Sequence, residues 1–285
     1  PFALCHGCGK QALSMCMGLG CNAAGVVGCR IIDSPRERLL AILTNSFMPC
    51  NGRFPLIITL LTLFFSHSMG SFSLALLLTG AILFAVAMTF AVTWLLSRTV
   101  LRGEPSAFAL ELPPYRMPQV GNVLLRSLLD RTVFVLGRAL AVACPTGCLL
   151  WCLANCSVGN GNLLQWLSAA LNPLGQCLGL DGVLLLSFLL GFPANEIVLP
   201  IALMTYQAQN ALTPLDLSTL LPILLSQGWT ARRAVCMLLF TLFHWPCSTT
   251  LLTVRKETGS PLWTALALLV PTAVGAVLCW VVHWI

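Results

Sequence analysis

The chain reads as an all-α, polytopic membrane protein with broken or re-entrant helices and a weak internal repeat. Three observations predict this. Of its 285 residues 58% are hydrophobic and only 8% charged, with a mean hydropathy of +0.89, against about 25% charged residues in an ordinary soluble domain. Several uncharged runs reach the roughly 20 residues that a membrane-crossing helix needs. Finally, a lone carboxylate, Glu196, lies in the stretch GVLLLSFLLGFPANEIVLPIALMTY, which holds no other charge between Asp181 and Asp216. An ionisable group at membrane depth costs roughly 2.5–3.5 kcal/mol on insertion scales, so it is expected to face a cavity, a partner or an ion.

The elements follow in chain order. Pro1 to Lys10 is short and Cys-rich, with no signal-peptide pattern. Gln11 to Gly28 is barely long enough to cross and reads equally as a re-entrant hairpin. In IIDSPRERLL, Ser34 is the predicted helix cap, with Pro35 at the first helical position and Glu37 three residues after the cap. That helix is expected to run through Met48, break at PCNGR (Pro49 to Arg53) and resume from Phe54 to Ser66. Phe72 to Leu96 is an uncharged span. ELPPYRMPQ (Glu111 to Gln119) reads as a Pro-stiffened connector, and Asn122 to Val135 as an interfacial amphipathic helix. Ala139 to Leu180 is uncharged but too long for one helix, and the turn-forming NCSVGNGN at Asn155 to Asn162 divides it.

Gly182 to Tyr206 is long enough to cross if helical, yet Gly191, Pro193 and Asn195 interrupt it beside Glu196. Leu217 to Gln227 is too short to cross. Ala234 to Val254 breaks at HWPCSTT (His244 to Thr250), and Ser260 and Pro261 open a last span. In all, six or seven crossings are expected. Three regions follow: 1–103, 104–138 as connector and interfacial helix, and 139–285. The repeat is a Gly-containing break (GLGCNAAG; GFPANE) that precedes a helix interrupted by Pro-Cys (Pro49-Cys50; Pro246-Cys247). Facing broken-helix units are how many secondary transporters build a central site.

Charge supplies orientation. The net charge of +6 is spread over interhelical loops, which argues against nucleic acid as a partner. Arg30, Arg36 and Arg38 share one loop, Arg98 to Arg138 surround another, and Arg232 and Arg233 a third, so the positive-inside rule places these in the cytoplasm. Arg255 and Lys256 fit that alternation poorly.

The 14 cysteines are expected to be reduced packing residues, since a disulfide framework belongs to short secreted chains. Cys144, Cys148, Cys152 and Cys156 form a stripe at helical spacing, read as a packing seam in preference to a soft-metal path. CHGC at Cys5 to Cys8 is half of a zinc-site pattern with no second pair. Cys21, Cys50 and Cys247 each fall at a helix interruption, and Asn22, Asn195 and Glu196 add oxygen ligands beside them. Thiolate, amide oxygen and carboxylate together suit a borderline divalent cation such as Fe(II) better than Mg(II) or Ca(II). The three cysteines are expected to converge within about 10 Å, roughly twice a metal–sulfur reach plus side-chain length. Their competing reading is as kinks and packing residues. His67 reads as a loop residue, His283 as a terminal interface residue, and His244 as the histidine to test. No GxSxG, HExxH or GxxxxGK[ST] pattern occurs, so no catalysis is expected of these residues.

The runs GLGCNAAGVVGCRIIDSPRERLLAILTNSFMPCNGRFPL, ELPPYR, GFPANEIVLP and FHWPCSTTLLTVRKETGS together resemble, in order and over nearly the whole chain, the membrane portion of the prokaryotic ferrous iron transport protein B family. They include its two Gate regions, similar to those of nucleoside-transporter-like proteins. The resemblance implies Fe(II) uptake across the cell inner membrane past the cysteines matching Cys21, Cys50 and Cys247. Fe(II) is then the transported substrate, with no permanently bound cofactor. It further implies regulation by a G domain that lies upstream or on another chain, small accessory proteins of the same iron-uptake system, contact with membrane lipid, and a homo-oligomer as an option. Where the commoner family pattern has Lys before the Glu, this chain has Asn195. The alternatives are a Gate-type nucleoside or small-solute permease, or a truncated non-transporting membrane subunit.

Overall fold

The computed structural model describes residues 7–65, 70–103, 133–158, 161–207 and 217–285, with a few isolated positions between 121 and 129. The expected connector at 111–119, His67, and most of the interfacial helix at 122–135 lie outside the described residues.

The predicted hairpin at the start of the chain forms. Helix α1 (Gln11–Gly20) ends at Cys21, whose backbone is extended (φ −153°, ψ 122°), and α2 (Asn22–Gly28) runs back along it. Gly28 thereby lies against Met17 and Ser14. The next span is broken as its sequence requires. Helix α3 (Pro35–Thr44) tightens into a 3₁₀ turn at Asn45–Phe47, the chain opens at Pro49–Gly52, and α4 (Phe54–Phe65) resumes. Pro35 takes the first helical position as expected, but Ser34 makes no side-chain cap bond. Helix α5 (Ser71–Thr99) then crosses in the opposite direction.

Helix α6 (Phe134–Asn155) ends in the NCSVGNGN turn, where β1 (Ser157–Val158) pairs antiparallel with β2 (Gly161–Asn162). A capping box between Asn162 and Gln165 opens α7 (Leu163–Cys177). After a 107° bend, the Asp181 side chain caps α8 (Gly182–Leu190) by accepting from Leu184 N–H at 2.8 Å. The bend is tight enough that a β-carbon on Gly182 would stand 1.9 Å from the Ser168 carbonyl.

The run from Gly182 to Tyr206 is not one span. The chain reverses at Gly191–Ile197, and α9 (Val198–Tyr206) returns against α8. Tyr206 at its end donates to Asp181 at the start of α8, at 2.5 Å. Leu186 and Leu190 pack on Ile201 and Met204 between them. Each arm has nine residues, about 13.5 Å at 1.5 Å per residue, so the tip reaches about half the ~30 Å depth of a hydrocarbon core. The break expected at Gly191, Pro193 and Asn195 is therefore a reversal of direction, not an interruption within one crossing.

Helices α10 (Leu217–Ser226), α11 (Ala231–Phe243), α12 (Ser248–Thr258) and α13 (Pro261–Trp284) complete the described chain. The pair α11–α12, broken at His244–Cys247, is a span of 28 residues, and α13 lies back along it. Among the described residues three helices are long and apolar enough to cross a membrane, or four if the bent α7–α8 pair counts as one. That is fewer than the six or seven expected, because the breaks divide several apolar runs into half-length helices. Lipid-facing surface is supplied by side chains such as Phe72, Leu76 and Leu83 on α5 and Leu269, Val277 and Trp280 on α13, all exposed.

Side-chain bonds sort the helix ends into two sets. At one end Lys10 pairs with Asp33, Arg30 makes a two-pronged pair with Glu257 (2.6 and 2.7 Å), and Arg36 donates to the Leu101 carbonyl. At the other, Asp181 meets Tyr206 and Arg233, and Arg232 reaches the His283 carbonyl. The first hairpin enters from the first end and the second from the opposite end, while α3–α4 and α11–α12 run antiparallel. The repeat is thus inverted. Arg255 and Lys256, on α12 beside Glu257, join Arg30, Arg36, Arg98 and Arg102, while Arg232 and Arg233 fall at the far end. The expectation grouped Arg232 and Arg233 with the other Arg-bearing loops and found Arg255 and Lys256 a poor fit. Loop counting missed that α11–α12 spans the molecule, at roughly 40 Å for its length.

Candidate functional site

Both hairpin tips and both Pro-Cys breaks meet at mid-molecule, through equivalent backbone bonds. In the first repeat the N–H of Asn51, just after Pro49-Cys50, donates to the Gly20 carbonyl at the hairpin tip (3.3 Å). In the second, Ser248 N–H, just after Pro246-Cys247, donates to the Phe192 carbonyl (2.9 Å). A donor freed at each Pro-containing break is satisfied by a carbonyl freed at each tip, which is how buried irregular backbone is tolerated. The repeats also interlock, for α2 packs on α12 and α4 on α11.

The six expected ligand residues all lie at this junction, in unequal settings. Cys21 is exposed at the first tip, one residue from the Gly20–Asn51 bond. Asn22 is turned inward: its carbonyl accepts from Asn45 Nδ2 at 2.8 Å, and its amide, oriented to suit its neighbours, donates to the Met48 and Gly18 carbonyls. Cys50 is buried and Cys247 half-buried, and both lie within electrostatic reach of Arg53. The Cys247 sulfur also lies 3.2 Å from Thr250 Oγ1. Asn195 is buried, with Oδ1 3.2 Å from His244 Nε2. Glu196 is exposed at the second tip, its Oε2 3.9 Å from where a β-carbon on Gly52 would stand, so the second tip abuts the first break. Among the described residues no ion pair involves Glu196, and no three His, Cys, Asp or Glu side chains are set to hold one ion together. The junction offers sulfur and oxygen along a line of contacts and does not form a closed coordination shell.

His244 is wholly enclosed: its Nδ1 faces the Phe240 and Thr241 carbonyls at 3.1 and 3.0 Å, and its ring packs against Phe188 and Phe240. It links the second break to the second tip through Asn195. Three residues here carried a weaker signal in the sequence. Arg53, a basic residue just before an apolar helix, is 0% exposed and bonds backbone carbonyls. Asn45 and Gly25 gave no signal beyond their place in a Gly-rich apolar run. Among the other cysteines, the stripe Cys144, Cys148, Cys152 and Cys156 is exposed along α6, so it is not a seam within the described residues; Leu150 and Ala154 form the packed face instead. Cys8, the described part of CHGC, is buried in the core.

Residues 78–130 match the family described as "Ferrous iron transport protein B C terminus". The chain is 28% identical to the Fe(2+) transporter FeoB of Staphylococcus aureus (strain MSSA476) over 97% of its own length and 41% of that protein's. It is also 28% identical to the Fe(2+) transporter FeoB of Synechocystis sp. over 92% of its length and 41% of that protein's, and 25% identical to that of Methanocaldococcus jannaschii over 88% and 38%. No solved structure matches. The chain spans about two fifths of the length of these relatives. With relatives aligned along nearly all of it, the chain is similar to the C-terminal membrane portion of the Fe(2+) transporter FeoB proteins.

Proposed function

We infer that this chain is the permeation unit of a ferrous iron permease, moving Fe(II) across the cell inner membrane into the cytoplasm. The observation that carries the reading is the meeting of both hairpin tips with both Pro-Cys breaks, which places Cys50, Cys247 and Glu196 around one junction and Cys21 beside it. Sulfur and carboxylate oxygen in one path favour a borderline divalent ion, and the relatives are named as Fe(2+) transporters. In this reading Cys21, Cys50 and Cys247 supply soft contacts, Glu196 the charge that draws the cation, and Asn22 and Asn195 oxygen at the tips. Regions 1–103 and 139–285 act as the two inverted halves, joined by 104–138. The Arg-rich end, with Arg30, Arg36, Arg98, Arg102, Arg255 and Lys256, faces the cytoplasm by the positive-inside rule. Iron passage itself involves no catalysis by these residues. A G domain, upstream or on another chain, controls the opening of the path, with small accessory proteins of the system and a homo-oligomeric assembly as further partners.

The test is Fe(II) entry into proteoliposomes carrying the full-length protein, followed with an internal ferrous-quenched fluorophore. Cys50→Ser and Cys247→Ser are each expected to slow entry about tenfold, the loss of about 1.4 kcal/mol of ion binding along the path, with folding unchanged. Cys152→Ser on the exposed face of α6 is expected to be silent. Full entry with both junction cysteines replaced would refute the path. Uptake of a nucleoside in place of Fe(II) would move the assignment to a small-solute permease.

A further inference from the structure

Arg53 is 0% exposed and, among the described residues, has no carboxylate partner. Its charge is met by backbone carbonyls. Nη1 donates to Ser46 (3.0 Å) and Leu242 (2.8 Å), and Nη2 to His244 (3.0 Å) and Trp245 (3.4 Å). Ser46 lies in the 3₁₀ turn that closes α3 and Leu242 at the end of α11, with His244 and Trp245 in the break just after it, so each repeat contributes at a helix C-terminus. A helix C-terminus leaves its last carbonyls unbonded and carries about half a negative charge. Two such ends meet at the guanidinium, Nη1 bridging them and Nη2 bonding the second alone. In transporters built from inverted repeats, freed carbonyls and half-helix C-termini of this kind are where a coupling monovalent cation is coordinated. In this chain the position is already filled by a side chain that cannot lose its charge. The repeat breaks its symmetry at this point. Three residues after Cys50 stands Arg53, whereas three residues after Cys247 stands Thr250, whose hydroxyl turns to the Cys247 sulfur.

We propose that Arg53 is a tethered cation occupying the coupling-ion cradle between the two broken helices, so that translocation at this centre uses no exchangeable sodium or potassium ion. The proposal rests on the permease reading for its functional consequence, but the occupancy of the cradle can be tested without iron. Purified full-length protein is melted in sodium, potassium or choline chloride at equal ionic strength. Wild type is expected to melt at the same temperature in all three. Arg53→Ala empties the cradle and is expected to melt roughly 5–10 °C lower, since four buried carbonyls lose their donors at about 2–4 °C per kcal/mol. Low-millimolar guanidinium chloride should recover at least half of that loss while leaving wild type unchanged. If the alanine variant does not fold, Arg53→Lys keeps the charge with fewer donors, and should melt below wild type and ignore sodium. A wild type or Lys variant stabilised by sodium over choline overturns the proposal, as does an Ala variant that folds and gains nothing from guanidinium. In proteoliposomes, an inward sodium gradient should change the rate of Fe(II) entry less than about twofold, or about 0.4 kcal/mol in the barrier; sodium stimulation beyond that also overturns it. Absent iron entry in every salt would count against the permease reading alone, because the melting experiment decides the cradle independently.

Discussion

Gly25→Ala is the sharpest test of how the first hairpin is held. A β-carbon there would stand 2.4 Å from Asn45 Oδ1, 2.8 Å from Nδ2 and 2.9 Å from Cγ. Separations below 3.0 Å are not sustained, so the Asn45 amide must move, and its bond to the Asn22 carbonyl at 2.8 Å is lost with it. Leaving that buried carbonyl unpaired costs about 1–3 kcal/mol, and overpacking adds about 1–3 kcal/mol. Against this, alanine gains up to about 1 kcal/mol over glycine in a helix. The net expectation is a destabilisation of about 1–5 kcal/mol, read as a lower melting temperature in detergent. The sign should change once Asn45 is removed. In an Asn45→Ala background the added methyl meets no amide, and Gly25→Ala should be neutral or stabilising by up to ~1 kcal/mol. A double-mutant cycle over the two positions therefore carries a coupling of several kcal/mol. Additive effects, or a Gly25→Ala protein as stable as wild type, would refute the contact.

Glu196→Gln preserves the shape of the second tip and removes its charge; because Glu196 is exposed and has no ion pair among the described residues, stability should change by less than about 0.5 kcal/mol while Fe(II) entry falls, and unaltered entry would remove the carboxylate from the path. Single cysteines introduced on a Cys-depleted background at Arg102 and Lys256 should be labelled from the same side of the membrane, and one at Arg232 from the opposite side; labelling of all three from one side would break the inverted arrangement. The Arg30–Glu257 pair joins the end of the first hairpin to α12, but Arg30 is 59% exposed, so a double-mutant cycle should give at most about 1 kcal/mol, falling as salt rises. A coupling above that would show the pair to be a closed latch shielded from solvent.

Some of this protein was legible in the chain alone. Long uncharged runs require a membrane, and Pro-Cys at Pro49-Cys50 and Pro246-Cys247 must open a helix, since proline removes a donor and clashes with the preceding turn. The NCSVGNGN turn and the helix starts at Pro35 and Pro261 follow from local chemistry in the same way, because each depends on residues within a few positions of one another. The recurrence of a Gly-containing break before a Pro-Cys break was also visible. What the tertiary structure decided was direction and partnership. Whether Gly182 to Tyr206 crosses or turns back depends on Leu186 and Leu190 finding Ile201 and Met204, and on Tyr206 finding Asp181. An apolar run satisfies hydropathy equally well either way. The sidedness of Arg232 and Arg255 hangs on α11 and α12 being collinear across a break, which loop counting cannot see. Arg53 is the clearest case. From sequence, a buried arginine calls for a carboxylate, and Glu196 is the candidate that the apolar runs around it suggest. The folded chain instead surrounds Arg53 with carbonyls from residues 189 to 192 positions away, together with one from its own repeat. Each break frees its carbonyls locally, but they surround one guanidinium only when both repeats are in place, and no local pattern of residues encodes where two helix ends will meet.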